Sequence, residues 1–259
     1  MKLGLVTYNI AATWDLPTLI MKCQALGYGA VELRTTHAHG VEPALTAAQR
    51  AEVRARFKDC GVTLWGLGSI CEYDSPDAAE LRKNVETTRE FVKLAADVGA
   101  VGVKVRPNKL HTAEGVPAAK TLEQIGRTFA ECGRFAAEQG VELWMEVHGR
   151  ETCLPVNMRA IMDACDCPQC GLCWNANLPE VDADGSILKS FALLKPWIRS
   201  CHINELADAR YPWRQLFQLL SGAGYDRWTL AEIQANPDAD RLLRYYKRLW
   251  EELTARAEA

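Results

Sequence analysis

Short runs rich in Val, Leu and Ile alternate along the chain with longer segments in which apolar residues recur every three or four positions. Such runs are typical of buried parallel strands, and the three- and four-residue spacing is typical of amphipathic helices. Many of the joins carry Gly or Pro just before the apolar run, as expected where a helix ends and a strand begins. The pattern therefore predicts an alternating α/β architecture.

Eight runs fit the strand pattern: KLGLVTY, GAVELR, GVTLWGL, AVGVKVR, GVELWMEV, GLCWN, IRSCHI and RWTLAEI. The clearest helical segments between them span residues 46–60, 77–98 and 121–139. Eight strand–helix units in roughly 250 residues are the usual content of a (β/α)8 barrel. No glycine-rich phosphate loop follows the first run, as a doubly wound sheet would usually show. We therefore predict an α/β protein with a single (β/α)8 TIM-barrel domain over residues 1–259.

Composition and charge narrow the classes of partner. The 259 residues are 48% hydrophobic and 24% charged, which is enough for one large core. A net charge of -3 and a pI near 6.0 give no broad attraction to nucleic acid or to an anionic membrane. No apolar run approaches the roughly 18 residues of a membrane span, and the start MKLGLVTYNI does not read as a signal peptide. We expect a cytoplasmic protein that binds a small molecule, with no nucleic acid or membrane partner; a homo-oligomer is left open.

The ten cysteines are most simply reduced and buried. Four of them, Cys165, Cys167, Cys170 and Cys173, crowd into the stretch CDCPQCGLC. Overlapping C-x-x-C spacings occur in zinc and iron–sulfur sites, but zinc sites usually combine two separate pairs from distant segments. Because Cys173 also falls inside a strand run, a thiol-rich turn between a helix and a strand is favoured over a metal cluster.

Polar residues stand at the end of most of the predicted strands. In a TIM barrel the chemistry is placed at the carboxyl ends of the strands, and side chains two apart in a strand share a face. Polar groups buried there are costly unless they meet a partner or a ligand. The strand-end polar residues are Glu32, Arg34, Lys104, Arg106, Asn108, Glu146, His148, Asn175, Asn177, His202, Asn204 and Glu232.

The last four strands carry a specific order of residues: Glu146 in WMEVHG, Asn175 in CWNAN, His202 in SCHINEL and Glu232 in TLAEI. The chain resembles the sugar isomerase/epimerase superfamily of xylose isomerase-like barrels, and the resemblance extends from VTYNI to LAEI. That superfamily has the order Glu, Asp, His, Glu at these four strand ends, and this chain differs from it only in the second residue. The resemblance implies that the four residues hold one divalent metal, usually manganese, magnesium, cobalt or zinc. It also implies that Glu146 and Glu232 are catalytic and move a proton between stereoisomers of a ketose, while the metal stabilises the ene-diolate.

Two positions depart from the family pattern. Asn175 replaces the family aspartate, and Leu178 stands where the family often has a histidine. The amide oxygen of Asn175 can still be a neutral ligand, but the site loses one negative charge. We therefore expect a divalent ion, Mn or Mg before Zn or Co, that is weakly bound and exchangeable, or else a barrel that has become metal-free.

The remaining strand-end residues are candidates for binding the substrate. Lys104 and Arg106 either pair with Glu146 or bind an anionic group of the substrate; for Glu32 and Arg34 a structural ion pair is slightly favoured. His148 and Asn177 are further polar groups on the same faces as the metal candidates. Sugar rings could stack on Trp14, Trp65, Trp144 and Trp174, although core packing is the more frequent use of tryptophan.

The leading function is an isomerase or epimerase of carbohydrate metabolism that moves a proton beside the carbonyl of a ketose or keto-sugar. A lyase or dehydratase that uses the same ene-diolate chemistry is the alternative, and a metal-free sugar-binding protein is a third. A repair nuclease like endonuclease IV is excluded, because such enzymes hold three zinc ions with many histidines and this chain has five histidines in all. The loops after the last two strands lack the glycines that usually let backbone amides approach a phosphate.

Overall fold

The computed structural model describes residues 1–255 and contains a closed barrel of eight parallel strands. Each strand pairs with the next one along the chain, and the last pairs with the first. Every predicted run overlaps one of these strands, so the predicted (β/α)8 barrel is confirmed. The strands are β1 (Lys2–Val6), β2 (Ala30–Arg34), β3 (Thr63–Glu72), β4 (Gly102–Arg106), β5 (Glu142–Glu146), β6 (Cys170–Asn175), β7 (Ile198–Ile203) and β8 (Trp228–Ala231).

Eight α-helices surround the described barrel. They are α1 (Leu16–Leu26), α2 (Ala47–Lys58), α3 (Ala78–Val98), α4 (Ala118–Glu138), α5 (Pro155–Cys165), α6 (Leu188–Leu194), α7 (Trp213–Gly222) and α8 (Ala239–Ala255). Three short 3₁₀ helices cover Thr112–Glu114, Leu178–Glu180 and Lys195–Trp197. None of the helices in residues 1–255 is long and apolar enough to cross a membrane.

Local signals in the sequence set where several helices begin and end. Asp15 caps α1 by accepting a hydrogen bond from the backbone of Thr18, and Thr46 and Gln49 form a capping box at the start of α2. Helix α1 ends at Gly27, whose φ of 75° is favourable only for a residue without a side chain. The chain can then turn back toward the next strand.

Strand β3 is longer than the run that predicted it. The prediction ended at Leu67, whereas the strand continues to Glu72. Its extension pairs with β4 at two points, Gly68 with Lys104 and Glu72 with Arg106, on either side of an irregularity in the register. The polar and small residues in this extension hide its strand character in the sequence. As a consequence, Glu72 lies beside the end of β4.

Two tryptophans fill the barrel interior below the strand ends. Trp65 and Trp144 stack with ring centroids 5.2 Å apart and belong to a buried cluster that also contains Cys173 and Leu230. A Cβ atom on Gly102 would lie 2.5 Å from the Trp144 ring, so the glycine makes room for it. These two tryptophans therefore pack the core, which is the more frequent of the two uses considered above.

The cysteine-rich turn after α5 is a cluster of free thiols. Cys165, Cys167 and Cys170 are buried, and the sulfurs of the last two lie close to Gly133 of α4. Cys173 belongs instead to the cluster inside the barrel. Within residues 1–255, the cysteines form no group of three side chains close enough to share a metal ion. The thiol-rich turn is the arrangement that the structure shows.

Candidate active site

Three of the predicted ligands meet at the carboxyl ends of β5, β7 and β8. His202 Nδ1 lies 3.4 Å from Glu146 Oε1 and 3.6 Å from Glu232 Oε2. One nitrogen or oxygen atom from each of these side chains lies within 4.8 Å of the others. Glu146 and His202 are buried, while the Glu232 side chain keeps 18% of its surface exposed. The barrel thus brings two carboxylates and an imidazole to one point at its mouth.

Glu32 orients His202 from the opposite wall. Its Oε2 lies 3.1 Å from His202 Nε2, and both side chains are fully buried. We assign the Nε2 proton to this contact, which leaves Nδ1 directed at Glu146 and Glu232. Gly68 of β3 makes the contact possible, because a Cβ atom there would lie 2.8 Å from Glu32 Oε1. The structural ion pair that the sequence slightly favoured for Glu32 is formed with His202.

The carboxylates around His202 favour its charged form. Burial by itself would lower the pKa of the imidazole, but Cys173 and the carboxylates of Glu32 and Glu232 raise that pKa well above its usual value. A cation that binds Nδ1 would have to displace the proton there, so cation binding and proton release are coupled.

Lys104 reaches Glu146 from the end of β4. Its Nζ lies 2.7 Å from Glu146 Oε2, and both side chains are only 4% exposed. Burial lowers the pKa of Lys104 and raises that of Glu146, but their mutual attraction reverses both effects. The pKa of Lys104 is raised, and the pKa of Glu146 is held well below its usual value with help from His202. Both groups are ionised and form an ion pair. Pairing with Glu146 is the first of the two alternatives considered for Lys104.

The family model of xylose isomerase-like TIM barrels matches residues 20–249. The chain belongs to this family. A search of curated proteins found no match.

Solved structures of the same fold cover nearly the whole chain. The structure of an L-ribulose 3-epimerase has a TM-score of 0.82 and 16% identity, covering 100% of this chain and 96% of that one. A D-psicose 3-epimerase with D-tagatose from Clostridium cellulolyticum H10 has a TM-score of 0.77 and 15% identity, with 99% and 96% covered. A probable 3-DHS dehydratase from Bacillus anthracis has a TM-score of 0.74 and 14% identity, with 96% and 98% covered.

Asn175 occupies the strand end at which the resemblance described above implies a metal-binding aspartate. Its Nδ2 donates to Glu146 Oε1 over 3.2 Å, while its buried Oδ1 has no hydrogen-bond partner among the described residues. His202 Nδ1 is likewise buried without a partner within hydrogen-bonding geometry. A polar atom left in this state costs about 1–3 kcal/mol, which a bound cation would recover. The donors of Glu146, Asn175, His202 and Glu232 therefore fit a divalent metal ion.

Arg106 pairs with a residue that sequence reasoning missed. Its Nη2 lies 2.5 Å from Glu72 Oε1, and Asn108 donates to the other oxygen of Glu72 over 2.9 Å. Arg106 therefore does not form the ion pair with Glu146 that was one alternative for it. Alternation along β3 does not identify Glu72, because the register is irregular between Gly68 and Glu72 and Ile70 between them is 47% exposed.

Arg34 and His148 lie at the mouth with few partners. The Arg34 guanidinium donates to the backbone oxygen of Thr35 over 3.3 Å and lies 5.9 Å from the centre of the Tyr8 ring. His148 Nδ1 is buried and has no hydrogen-bond partner within residues 1–255, and burial lowers the pKa of this imidazole. Both side chains are thus available to a ligand.

Asn177 is part of the scaffold. Its Nδ2 donates to the backbone oxygens of Val147 and Asn175, both over 2.6 Å, and to Glu180 Oε1 over 3.2 Å. Tyr211 donates to the second oxygen of Glu180, and burial raises the pKa of Glu180 to about 8. Asn177 and Glu180 hold the segment after β6 in place, and the role of Asn177 in binding a substrate stays a prediction.

An opening at the mouth gives access to Glu232. It has a volume of about 160 Å³ and is lined by Tyr8, Asn204, Glu205, Glu232, Ile233 and Gln234. A wider depression of about 830 Å³ lies next to it, and Gln234 lines both. A small molecule that enters here meets Glu232 before it meets the buried Glu146.

Proposed function

We propose that the protein is a sugar isomerase or epimerase that moves a proton beside the carbonyl of a ketose or keto-sugar with the help of a divalent metal ion. The observation that carries the proposal is the meeting of Glu146, His202 and Glu232 within 4.8 Å at the open end of the barrel. Membership of the xylose isomerase-like family and the fold shared with known 3-epimerases support it.

Glu146, Asn175, His202 and Glu232 would hold the metal. When bound, such an ion polarises the substrate carbonyl and stabilises negative charge on its oxygen. Mn or Mg suits a set dominated by oxygen donors, while Zn or Co remains compatible with the histidine. Glu32 keeps His202 Nδ1 directed at this position by accepting the proton of Nε2.

Glu232 is the better proton acceptor of the two glutamates. Lys104 and His202 hold the pKa of Glu146 well below its usual value, although burial opposes them, so Glu146 is a weak base. Glu232 is partly exposed, lies 3.6 Å from His202 Nδ1, and has no lysine partner among the residues that the structure describes. Its carboxylate takes the proton from the carbon beside the carbonyl, the C–H electron pair becomes the C=C bond of an ene-diolate, and the carbonyl π pair moves onto the carbonyl oxygen. A proton from solvent then adds to the opposite face and inverts that carbon, and Glu232 releases its own proton to solvent.

The test is Glu232→Gln, assayed against a panel of ketoses and keto-sugars with added Mn²⁺. Turnover and the uptake of deuterium from D₂O into the substrate C–H position are followed by NMR. We expect kcat to fall by about 10²-fold or more, with the fold intact, because the proton acceptor is lost and little packing changes. Glu151→Gln is the matched control, since Glu151 is an exposed glutamate after β5. Activity of Glu232→Gln within a few-fold of the native value would contradict the assignment.

A further inference from the structure

Arg34 is a half-buried cation without an anionic partner. Its side chain makes one hydrogen bond, to the backbone oxygen of Thr35, although a guanidinium has five N–H donors. Burial, and then the nearby charge of Arg106, lower the pKa of Arg34, yet a guanidinium stays charged at neutral pH. Within the part of the chain that the structure describes, no carboxylate lies within ion-pair distance of Arg34.

The carboxylates nearest to Arg34 are already engaged elsewhere. Glu32 contacts His202, Glu72 contacts Arg106, and Glu146 contacts Lys104. Glu42, on the loop after β2, accepts hydrogen bonds from the side chain of Thr35 and the backbone of Thr36. The charge of Arg34 is therefore left for a group that comes from outside the chain.

Two more buried nitrogens, Arg106 Nε at the end of β4 and His148 Nδ1 after β5, have no hydrogen-bond partner among residues 1–255. Arg106 Nε is a donor, and we assign His148 the tautomer in which Nδ1 donates. Strand β3 runs between Arg34 on β2 and Arg106 on β4, and it presents Gly66 and Gly68 to the interior there. The room that the absent side chains leave is taken by the Trp144 ring at Gly66 and by the Glu32 carboxylate at Gly68, and the Arg34 side chain lies against Gly68. Arg106, at the end of β4, lies across the barrel from Glu232, which follows β8.

We propose that the substrate carries a carboxylate, and that Arg34 binds this carboxylate together with Arg106 and His148. The inference rests on the proposed function and names its substrate class: a keto-sugar acid such as a ketohexuronate. The planar guanidinium of Arg34 presents two parallel N–H donors, which match the two oxygens of a carboxylate. The carbonyl end of the same substrate then lies toward Glu146, His202 and Glu232.

A phosphate is the other anion that a sugar could bring. TIM barrels usually bind phosphate with backbone amides of the loops after the seventh and eighth strands. Arg34 and Arg106 instead end β2 and β4, His148 follows β5, and all three act through their side chains. The arrangement therefore favours the smaller, planar carboxylate.

Calorimetric titrations in the presence of Mn²⁺ test the proposal with three ligands: D-fructuronate, D-fructose and D-fructose 6-phosphate. We expect the native protein to bind the uronate about tenfold or more tightly than D-fructose, because a charge-assisted pair with a guanidinium is added. Arg34→Gln should lose most of this preference while its affinity for D-fructose changes by less than about twofold. Arg150→Gln, which removes an exposed arginine after β5, should keep the preference.

Equal binding of uronate and D-fructose by the native protein would overturn the proposal, as would tighter binding of the phosphate or an unchanged preference in Arg34→Gln. Arg34→Lys keeps the charge and provides a second variant if the glutamine protein does not fold. The two hypotheses fail separately. Tight uronate binding without proton exchange would contradict the isomerase proposal alone, and exchange on neutral ketoses without a uronate preference would contradict the carboxylate site alone.

Discussion

Lys104 should weaken metal binding, so its replacement by methionine should tighten it. The ammonium lies 2.7 Å from Glu146 Oε2, and a cation that binds Glu146 meets this charge at close range. Two unit charges ~4 Å apart repel by about 4 kcal/mol at an effective dielectric constant near 20. Part of this repulsion is offset by rearrangement of Glu146. We therefore expect Lys104→Met to bind Mn²⁺ about tenfold to a hundredfold more tightly than the native protein, since each 1.4 kcal/mol corresponds to about tenfold in affinity.

The same substitution should destabilise the protein when no metal is added. Lys104 and Glu146 are both only 4% exposed, and removing one partner of a buried ion pair typically costs about 3–5 kcal/mol. A cation at Glu146 would recover much of that loss. Without added metal, Lys104→Met should therefore melt at a lower temperature than the native protein. Added Mn²⁺ should raise the melting temperature of the variant by more than it raises that of the native protein.

Calorimetric titration with Mn²⁺ and thermal melting with and without Mn²⁺ give the two readouts. Lys109→Met is the matched control, because Lys109 is an exposed lysine just beyond the end of β4. Lys104→Gln provides a second variant if the methionine protein does not fold. A folded Lys104 variant whose Mn²⁺ affinity is unchanged or weaker would refute the reasoning that the ammonium and the ion compete for Glu146.

Two further predictions concern Asn175 and Glu180. Asn175→Asp restores a negative charge to the ligand set, so calorimetry should show Mn²⁺ binding about tenfold or more tighter than in the native protein; binding by neither protein would favour a metal-free barrel. Glu180 has a folded-state pKa of about 8 against an ordinary value of 4.5, so between these pH values the folded state keeps a proton that the unfolded state has lost. Stability should therefore fall as pH rises through this window, by at most about 1.4 kcal/mol per pH unit from this group. Urea unfolding at pH 5, 6.5 and 8 should show that the free energy of unfolding depends less on pH in Glu180→Gln than in the native protein. Equal pH dependence in the two proteins would contradict the role of Glu180.

The barrel and the meeting of Glu146, His202 and Glu232 could be predicted from the sequence. Periodicity identifies the strands, and closure of a parallel barrel places all their carboxyl ends on one face. Residues at those ends must then lie near one another, whatever their separation along the chain. Asn175 could be singled out as a departure only through the resemblance to the family, because barrel geometry fixes its place at a strand end and not the residue type expected there.

The partners of the charged side chains were decided by the tertiary structure alone. Glu32 and His202 are 170 positions apart and meet across the barrel interior, where Gly68 leaves room for the carboxylate. Lys104 and Arg106 are equivalent in the sequence pattern, yet one pairs with Glu146 and the other with Glu72. These choices depend on the register between strands and on which neighbouring positions lack a side chain. Alternation along a single strand gives neither the register between strands nor the neighbouring positions that lack a side chain. The sequence therefore identifies the charged groups at the mouth, and only the closed barrel determines their partners.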